Sequence, residues 1–230
     1  MAKGMGKILV AATGKGGAGK TTSIACLAIY WHLAGKSVAL LDVDANQTLT
    51  RWHAHGDVLS EMTLRSATDE TLMIPIISEL AADHDITLVD CAGANNQAMI
   101  FAVGAADLVL IPAMTDEANV FEAARMHRIV DNVISLTKRA IASRSLLCRV
   151  KRAVVANHAR AQLEALNTNP LDAQLHDRVI FQEATFHGSS PTVLAPKSAS
   201  ARDIEHLAQE IELILWRESA KLKVKSKRSA

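Results

Sequence analysis

Short apolar runs recur along the chain, each closed by a carboxylate, a glycine or a proline. Between them, apolar residues return at helical spacing. Ile8-Leu9-Val10-Ala11-Ala12 predicts a strand, and Ser23 to Ile29 predicts a helix behind a glycine-rich loop. After a turn at Gly35-Lys36, Ser37 to Asp42 reads as a buried parallel strand ending on a carboxylate, with a loop over Val43 to Gln47. A short helix carries Leu49, Arg51 and Trp52; Met62 to Arg65 predicts a short strand, and Glu70 to Ala82 a helix interrupted or begun near Pro75. Asp85 to Asp90 and Ala106 to Pro112 are the third and fourth long apolar strands. A long helix is expected from about Glu117 to Arg139, then a fifth strand over Arg152 to Asn157 and a sixth over Arg178 to Phe181. Ser200 to Trp216 closes the pattern as an amphipathic helix, with Ser200 and Asp203 as its N-terminal cap. Strands alternating with helices predict a doubly wound, mostly parallel α/β sheet flanked by helices. One domain is expected over residues 1–216, followed by a basic, frayed tail over 217–230.

Composition adds two constraints. Apolar residues make up 49% of the chain but aromatics only 3%, so the core must be aliphatic. The three cysteines, Cys26, Cys91 and Cys148, are widely spaced and odd in number, which suggests reduced thiols in a cytoplasmic protein and no disulfide framework. With the first strand and glycine loop starting almost at once, no cleavable signal is expected, and no apolar stretch approaches the roughly 18 residues that span a bilayer. A net charge of +1 argues against a uniformly basic surface. However, Asn132 to Leu163 contains no acid while holding Lys138, Arg139, Arg144, Arg149, Lys151, Arg152 and Arg160, and the tail from Arg217 is basic again. A one-sided basic surface suited to phosphate contacts is expected.

The chemistry is concentrated in Gly14-Lys15-Gly16-Gly17-Ala18-Gly19-Lys20-Thr21-Thr22, set between the first strand and the first helix. Strand, glycine loop and helix in that order make a phosphate-binding P-loop, in which glycines let backbone N–H groups turn toward an anion and the helix N-terminus adds its dipole. Lys20 reaches the β- and γ-phosphates, and the Thr21 hydroxyl ligates Mg²⁺. Such a site also needs carboxylates at neighbouring strand ends, and Asp42, Asp44 and Asp90 are the candidates, with Asp90 holding the Mg²⁺ shell. His53 and His55 stand two apart without further Cys or His nearby, so no metal site is expected there.

Lys15 occupies a position that ordinary P-loops leave open, and Lys-Gly-Gly-Ala-Gly-Lys-Thr-Thr resembles the deviant Walker A motif of the ParA/MinD family of ATPases, most of all small plasmid-partition ParA proteins. The resemblance covers about Lys7 to Trp216 and implies a P-loop NTPase fold with ATP and Mg²⁺ as cofactors. It also implies that Lys15 reaches across an ATP-sandwiched homodimer, that Asp42 organises Mg²⁺ and the P-loop, and that Asp44 orients the attacking water. Asn157 matches the asparagine the family sets against the adenine edge. Cys91-Ala92-Gly93-Ala94 departs from the proline-containing version common in relatives, and no second cysteine follows Cys91 closely enough for an iron–sulfur cluster. By the same resemblance, the ATP-bound dimer coats DNA without sequence preference on the nucleoid, and a ParB-like centromere-binding protein stimulates hydrolysis and releases it. Two alternatives share the scaffold. One is a ParA-like accessory of conjugative DNA transfer, which Asp44 to Trp52 resembles; the other is a MinD-like membrane switch, disfavoured by a tail poor in bulky apolar residues. With Tyr30 the only tyrosine, a tyrosine-rich autophosphorylation tail is excluded.

Overall fold

Strands with no polar face can survive only between two layers of helices, and that requirement organises the protein. The computed structural model describes residues 5–67, 69–93 and 97–217. In chain order the elements are β1 (Lys7–Ala11), α1 (Lys20–Leu33), β2 (Val38–Asp42), α2 (Thr48–His55), β3 (Thr63–Ser66), α3 (Met73–Asp83), β4 (Ile86–Asp90) and α4 (Gln97–Ala105). There follow β5 (Leu108–Ala113), α5 (Glu117–Thr137), β6 (Ala142–Val150), α6 (Ala153–Ala165), β7 (Pro170–His176), α7 (Val179–Phe186), α8 (Pro191–Leu194) and α9 (Ala199–Glu212), which runs into a π turn over Leu213–Arg217. The sheet has seven strands in the order β3-β2-β4-β1-β5-β6-β7, and every pairing is parallel.

Alternate side chains of each strand feed opposite layers. On one side Val10, Val89 and Ile111 pack with Met73, Ile77, Met99, Val130 and Leu163 of α3, α4, α5 and α6. On the other, Leu9, Leu88 and Leu110 pack with Ile24, Leu27, Trp31, Leu49, Ile204 and Ile211 of α1, α2 and α9. The last helix is fastened by an aromatic and ionic cluster. Trp31 Nε1 donates to Glu212 Oε1 at 2.9 Å, the Trp31 and Trp216 rings meet edge to face at 6.1 Å, and Lys36 Nζ lies 4.8 Å from the Trp216 ring centre.

The long apolar strands fall where the sequence puts them, but the second half differs. Residues 152–157, expected as a strand, open helix α6; Val154 is 81% exposed, and Ala156, Ala159 and Leu163 form the buried stripe. Tertiary packing overrides the β-branched local preference there. The strand is instead β6, whose register against β7 shifts between Cys148 and Val150. Residues 178–181, expected as a strand, belong to the Arg178-capped start of α7, and the strand before them is β7, with Leu171, Ala173 and Leu175 inward in alternation. The cap of α9 is Ser198, which accepts from the Ala201 N–H; Ser200 is buried and Asp203 pairs with β7 and α7 residues. The tail beyond Arg217 lies outside the described residues.

His127 of α5 is 5% exposed and holds the polar stretch of β6 in place: its Nδ1 and Nε2 each lie 2.9 Å from a hydroxyl oxygen, of Ser143 and Ser145 respectively. Burial, aided by the Arg144 charge, pushes its pKa down from 6.5 to about 4. A histidine kept neutral in the fold gains its proton first in the unfolded chain. Stability is therefore full above about pH 6.5 and falls as pH drops toward 4, by about 2–3 kcal/mol from this residue. Denaturant unfolding between pH 7.5 and 4.5 should show that loss in the wild type and a flatter profile in His127→Gln.

Candidate functional site

The C-terminal edge of the sheet collects the chemistry. Beyond β1 the chain turns through Gly17 (φ 72°) and Gly19 (φ 109°), both in the left-handed region that glycine adopts without strain. A side chain at Gly19 would press on Cys148 Sγ, 3.1 Å away. Gly19 caps α1 without any side-chain acceptor, so the first N–H groups of that helix remain available to an anion. Gly93, beyond β4, faces the loop: a methyl group on it would meet the Gly16 nitrogen at 3.4 Å, an ordinary contact. Lys20 is buried and its Nζ donates to the Lys15 carbonyl at 3.3 Å; Lys15, Gly16 and Gly17 are exposed.

Three carboxylates stand at the ends of neighbouring strands, Asp42 and Asp44 after β2 and Asp90 on β4, and they are not equivalent. Thr21 Oγ1 donates to Asp90 Oδ2 at 2.6 Å. Asp90 Oδ1 is buried and has no hydrogen-bond partner among the described residues. Burial pushes the Asp90 carboxyl up to about 7, and the Asp42 and Asp44 charges push the same way against the Thr21 hydrogen bond and Lys20. An orphaned carboxylate oxygen beside a threonine hydroxyl and a lysine fits a divalent cation that phosphate oxygens complete. Among the described residues, no three His, Cys, Asp or Glu side chains gather to hold a metal by themselves.

Asp42 is fully buried and its oxygens are committed: Oδ1 accepts from the Asp44 N–H at 3.1 Å, and Oδ2 from the Thr50 N–H at 2.9 Å and hydroxyl at 2.8 Å. It shapes the loop that carries Asp44 and offers no free oxygen of its own. Asp44 in turn accepts from the Asn46 N–H at 2.9 Å and lines the cavity.

That cavity, about 790 Å³, is far larger than a triphosphate needs. Gly16, Gly17 and Gly19 to Thr22 form its floor, Asp44, Asn46, Thr48 and Trp52 one wall, and Cys148, Arg149, Asp177, Arg178 and Phe181 the other. Asn157, read from the sequence as the adenine contact, is exposed on α6 and does not line the cavity, because the strand expected to end there is a helix. The residue near the end of the actual strand β6 that lines the cavity is Arg149, whose φ of 53° sits at the β6–β7 irregularity. The sequence signal for it is the apolar run Leu146-Leu147-Cys148 ending on a base. Arg178 is held by Asp203 of α9, which also accepts from His176 Nδ1 at 3.0 Å. His53, not expected to bind a metal, bonds the Met62 carbonyl at 2.9 Å. All three cysteines are free and buried.

Comparison with known proteins shows likeness in sequence and in fold. The VirC1 protein family model matches residues 6–189. A virC1 protein of Rhizobium radiobacter is 30% identical over 173 residues, 73% of this chain and 75% of that protein. The ParA protein of the same organism is 35% identical over 105 residues, so the match spans about half of either chain, 46% and 47%. Among solved structures, apo McdA of Cyanothece superposes with a TM-score of 0.76 at 18% identity over 90% of this chain and 98% of McdA, and an ATP complex of an McdA variant with 0.73 at 17% over 92% and 97%. These likenesses extend the P-loop NTPase architecture to the whole sheet. The chain belongs to the VirC1 family and, through it, to the ParA/MinD group of P-loop ATPases.

Proposed function

We propose that the protein is a partition-type ATPase: it binds ATP with Mg²⁺, dimerises on it, binds DNA without sequence preference, and is reset by hydrolysis that a ParB-like partner stimulates. The observation that carries this reading is the Thr21–Asp90 contact beside an uncapped helix N-terminus, with one Asp90 oxygen left over. Loop N–H groups and Lys20 hold the phosphates, Thr21 ligates Mg²⁺, and Asp90 accepts from the ion's water shell. The ion, when bound, neutralises charge on the phosphate oxygens. Asp44, aimed by Asp42, orients the attacking water. Lys15, exposed at the loop tip, supplies the positive charge to a second copy's phosphates.

The DNA surface draws on the acid-free stretch. Lys138 and Arg139 after α5 and Lys151 and Arg152 between β6 and α6 are exposed; Lys151 Nζ lies 3.3 Å from Asp177 Oδ2, and Arg160 Nη1 lies 3.3 Å from Asp172 Oδ1. Phosphate contacts of this kind carry no sequence information and weaken steeply with salt. Among the described residues no helix is long and apolar enough to cross a membrane.

Three measurements test this reading. DNA retardation with ATP, ADP or no nucleotide should show salt-sensitive binding with ATP alone; vesicle binding without DNA binding would favour a membrane switch instead. In sedimentation, Lys15→Ala should lose ATP-dependent dimerisation while still binding nucleotide, and a variant that still dimerises removes Lys15 from the mechanism. For Asp90→Asn the sign follows from burial. An acid whose folded value is raised from 3.8 to about 7 loses stability as it ionises, so stability falls as pH rises through that window. At pH 8 the substitution should stabilise the nucleotide-free protein by roughly 1 kcal/mol or more, about 2–4 °C in Tm, and abolish Mg²⁺-dependent nucleotide binding.

A further inference from the structure

Two glycines far apart in sequence approach each other where the turn after α2 meets the turn after α7. Gly56, just past α2, and Gly188, between α7 and α8, are both buried. A methyl group at Gly56 would collide with the Gly188 carbonyl oxygen and lie 2.8 Å from the Trp52 carbonyl oxygen. One at Gly188 would collide with the Trp52 carbonyl oxygen and lie 2.8 Å from the Gly56 Cα. The backbone at Gly56, with φ −85° and ψ 138°, suits any residue, so contact alone demands glycine there. Gly188, at φ 51°, is constrained by contact and conformation together.

This clasp joins the helices that carry the aromatic walls. Trp52 lies one turn before Gly56, and Phe181, Thr185 and Phe186 of α7 precede Gly188; all four line the cavity. The start of α2 is fixed separately by Asp42 through Thr50, so the clasp governs the Trp52 end and leaves the Asp44 loop anchored. We propose that Gly56 and Gly188 are positioning residues that hold α2 against α7 and thereby keep the Trp52–Phe181 walls closed on the nucleoside. The proposal rests on the nucleotide reading of the cavity and adds that affinity for the base and ribose depends on this backbone contact. A planar base gains from aromatic walls at a fixed spacing, and binding costs less when the walls are already in place.

The chain supplies its own control, because Gly35 also has a positive φ, 84°, and a methyl group there would meet nothing within 4 Å. Gly35→Ala strains the backbone without prying anything apart, whereas Gly56→Ala pries without strain. Calorimetric affinities for a non-hydrolysable ATP analogue and for inorganic tripolyphosphate, both with Mg²⁺, separate nucleoside contacts from phosphate contacts. Gly56→Ala and Gly188→Ala should weaken the ATP analogue by about tenfold or more, with tripolyphosphate and kcat at saturating ATP within about twofold of wild type. Gly35→Ala should change neither affinity. Wild-type ATP affinity in Gly56→Ala, or equal weakening of both ligands, overturns the clasp while leaving the nucleotide site standing. If neither glycine variant folds, Trp52→Leu tests the wall itself: the same split supports the proposal and an unchanged ATP affinity overturns it. A wild-type protein that binds tripolyphosphate but no ATP removes the nucleotide reading and the clasp together.

Discussion

A carboxylate buried at the end of a central strand, with one oxygen satisfied and the other not, is the constraint around which this molecule is built. Asp90 costs the nucleotide-free fold stability, because burial resists its ionisation and, among the described residues, only the Thr21 hydroxyl hydrogen-bonds its carboxylate. Apolar replacement would serve the core better. Its presence makes sense as a site left incomplete for a cation, and the glycine loop and bare helix N-terminus beside it leave a matching place for phosphate. Stability surrendered at the site is recovered from the aliphatic layers on both faces of the sheet and from the Trp31–Glu212–Trp216 fastening of the last helix.

The carboxylates divide the labour by what already binds them. Asp42 is spent on Thr50 and the Asp44 N–H, so it acts as a hinge pin between the sheet and the loop that reaches the cavity. Asp44 faces the cavity, and Lys15 stands exposed at the loop tip. The same motif thus buries Lys20 and leaves Lys15 exposed. The cavity walls come from both halves of the chain, and the close approach of Gly56 to Gly188 joins the turn after α2 to the turn after α7.

What the sequence disclosed, and what it hid, follows from burial. Strands β1, β2, β4 and β5 are covered on both faces, so they appear as apolar runs, interrupted within β4 only by the buried Thr87, and the P-loop and three aspartates follow from their ends. Strand β6 is disguised because Ser143 and Ser145 are polar, an oddity explained only by the partner they find in His127 on α5. Strand β7 is a sheet edge with an alternating pattern, and the exposed Val154 and Val155 give α6 the local look of a strand. One misplaced strand then carries Asn157 into the site and leaves Arg149 out. Trp52 and Phe181 are illegible for a different reason: a cavity wall assembled from distant helices has no local signature.

Calorimetric titration of ATP into the wild-type protein, with Mg²⁺ and then with a chelator in its place, reaches the central point most directly. If the orphaned Asp90 oxygen and the Thr21 hydroxyl are reserved for a magnesium ion and its water, affinity should fall by about tenfold or more without the ion. Equal affinities in the two conditions would contradict it, and the buried carboxylate would then need another explanation.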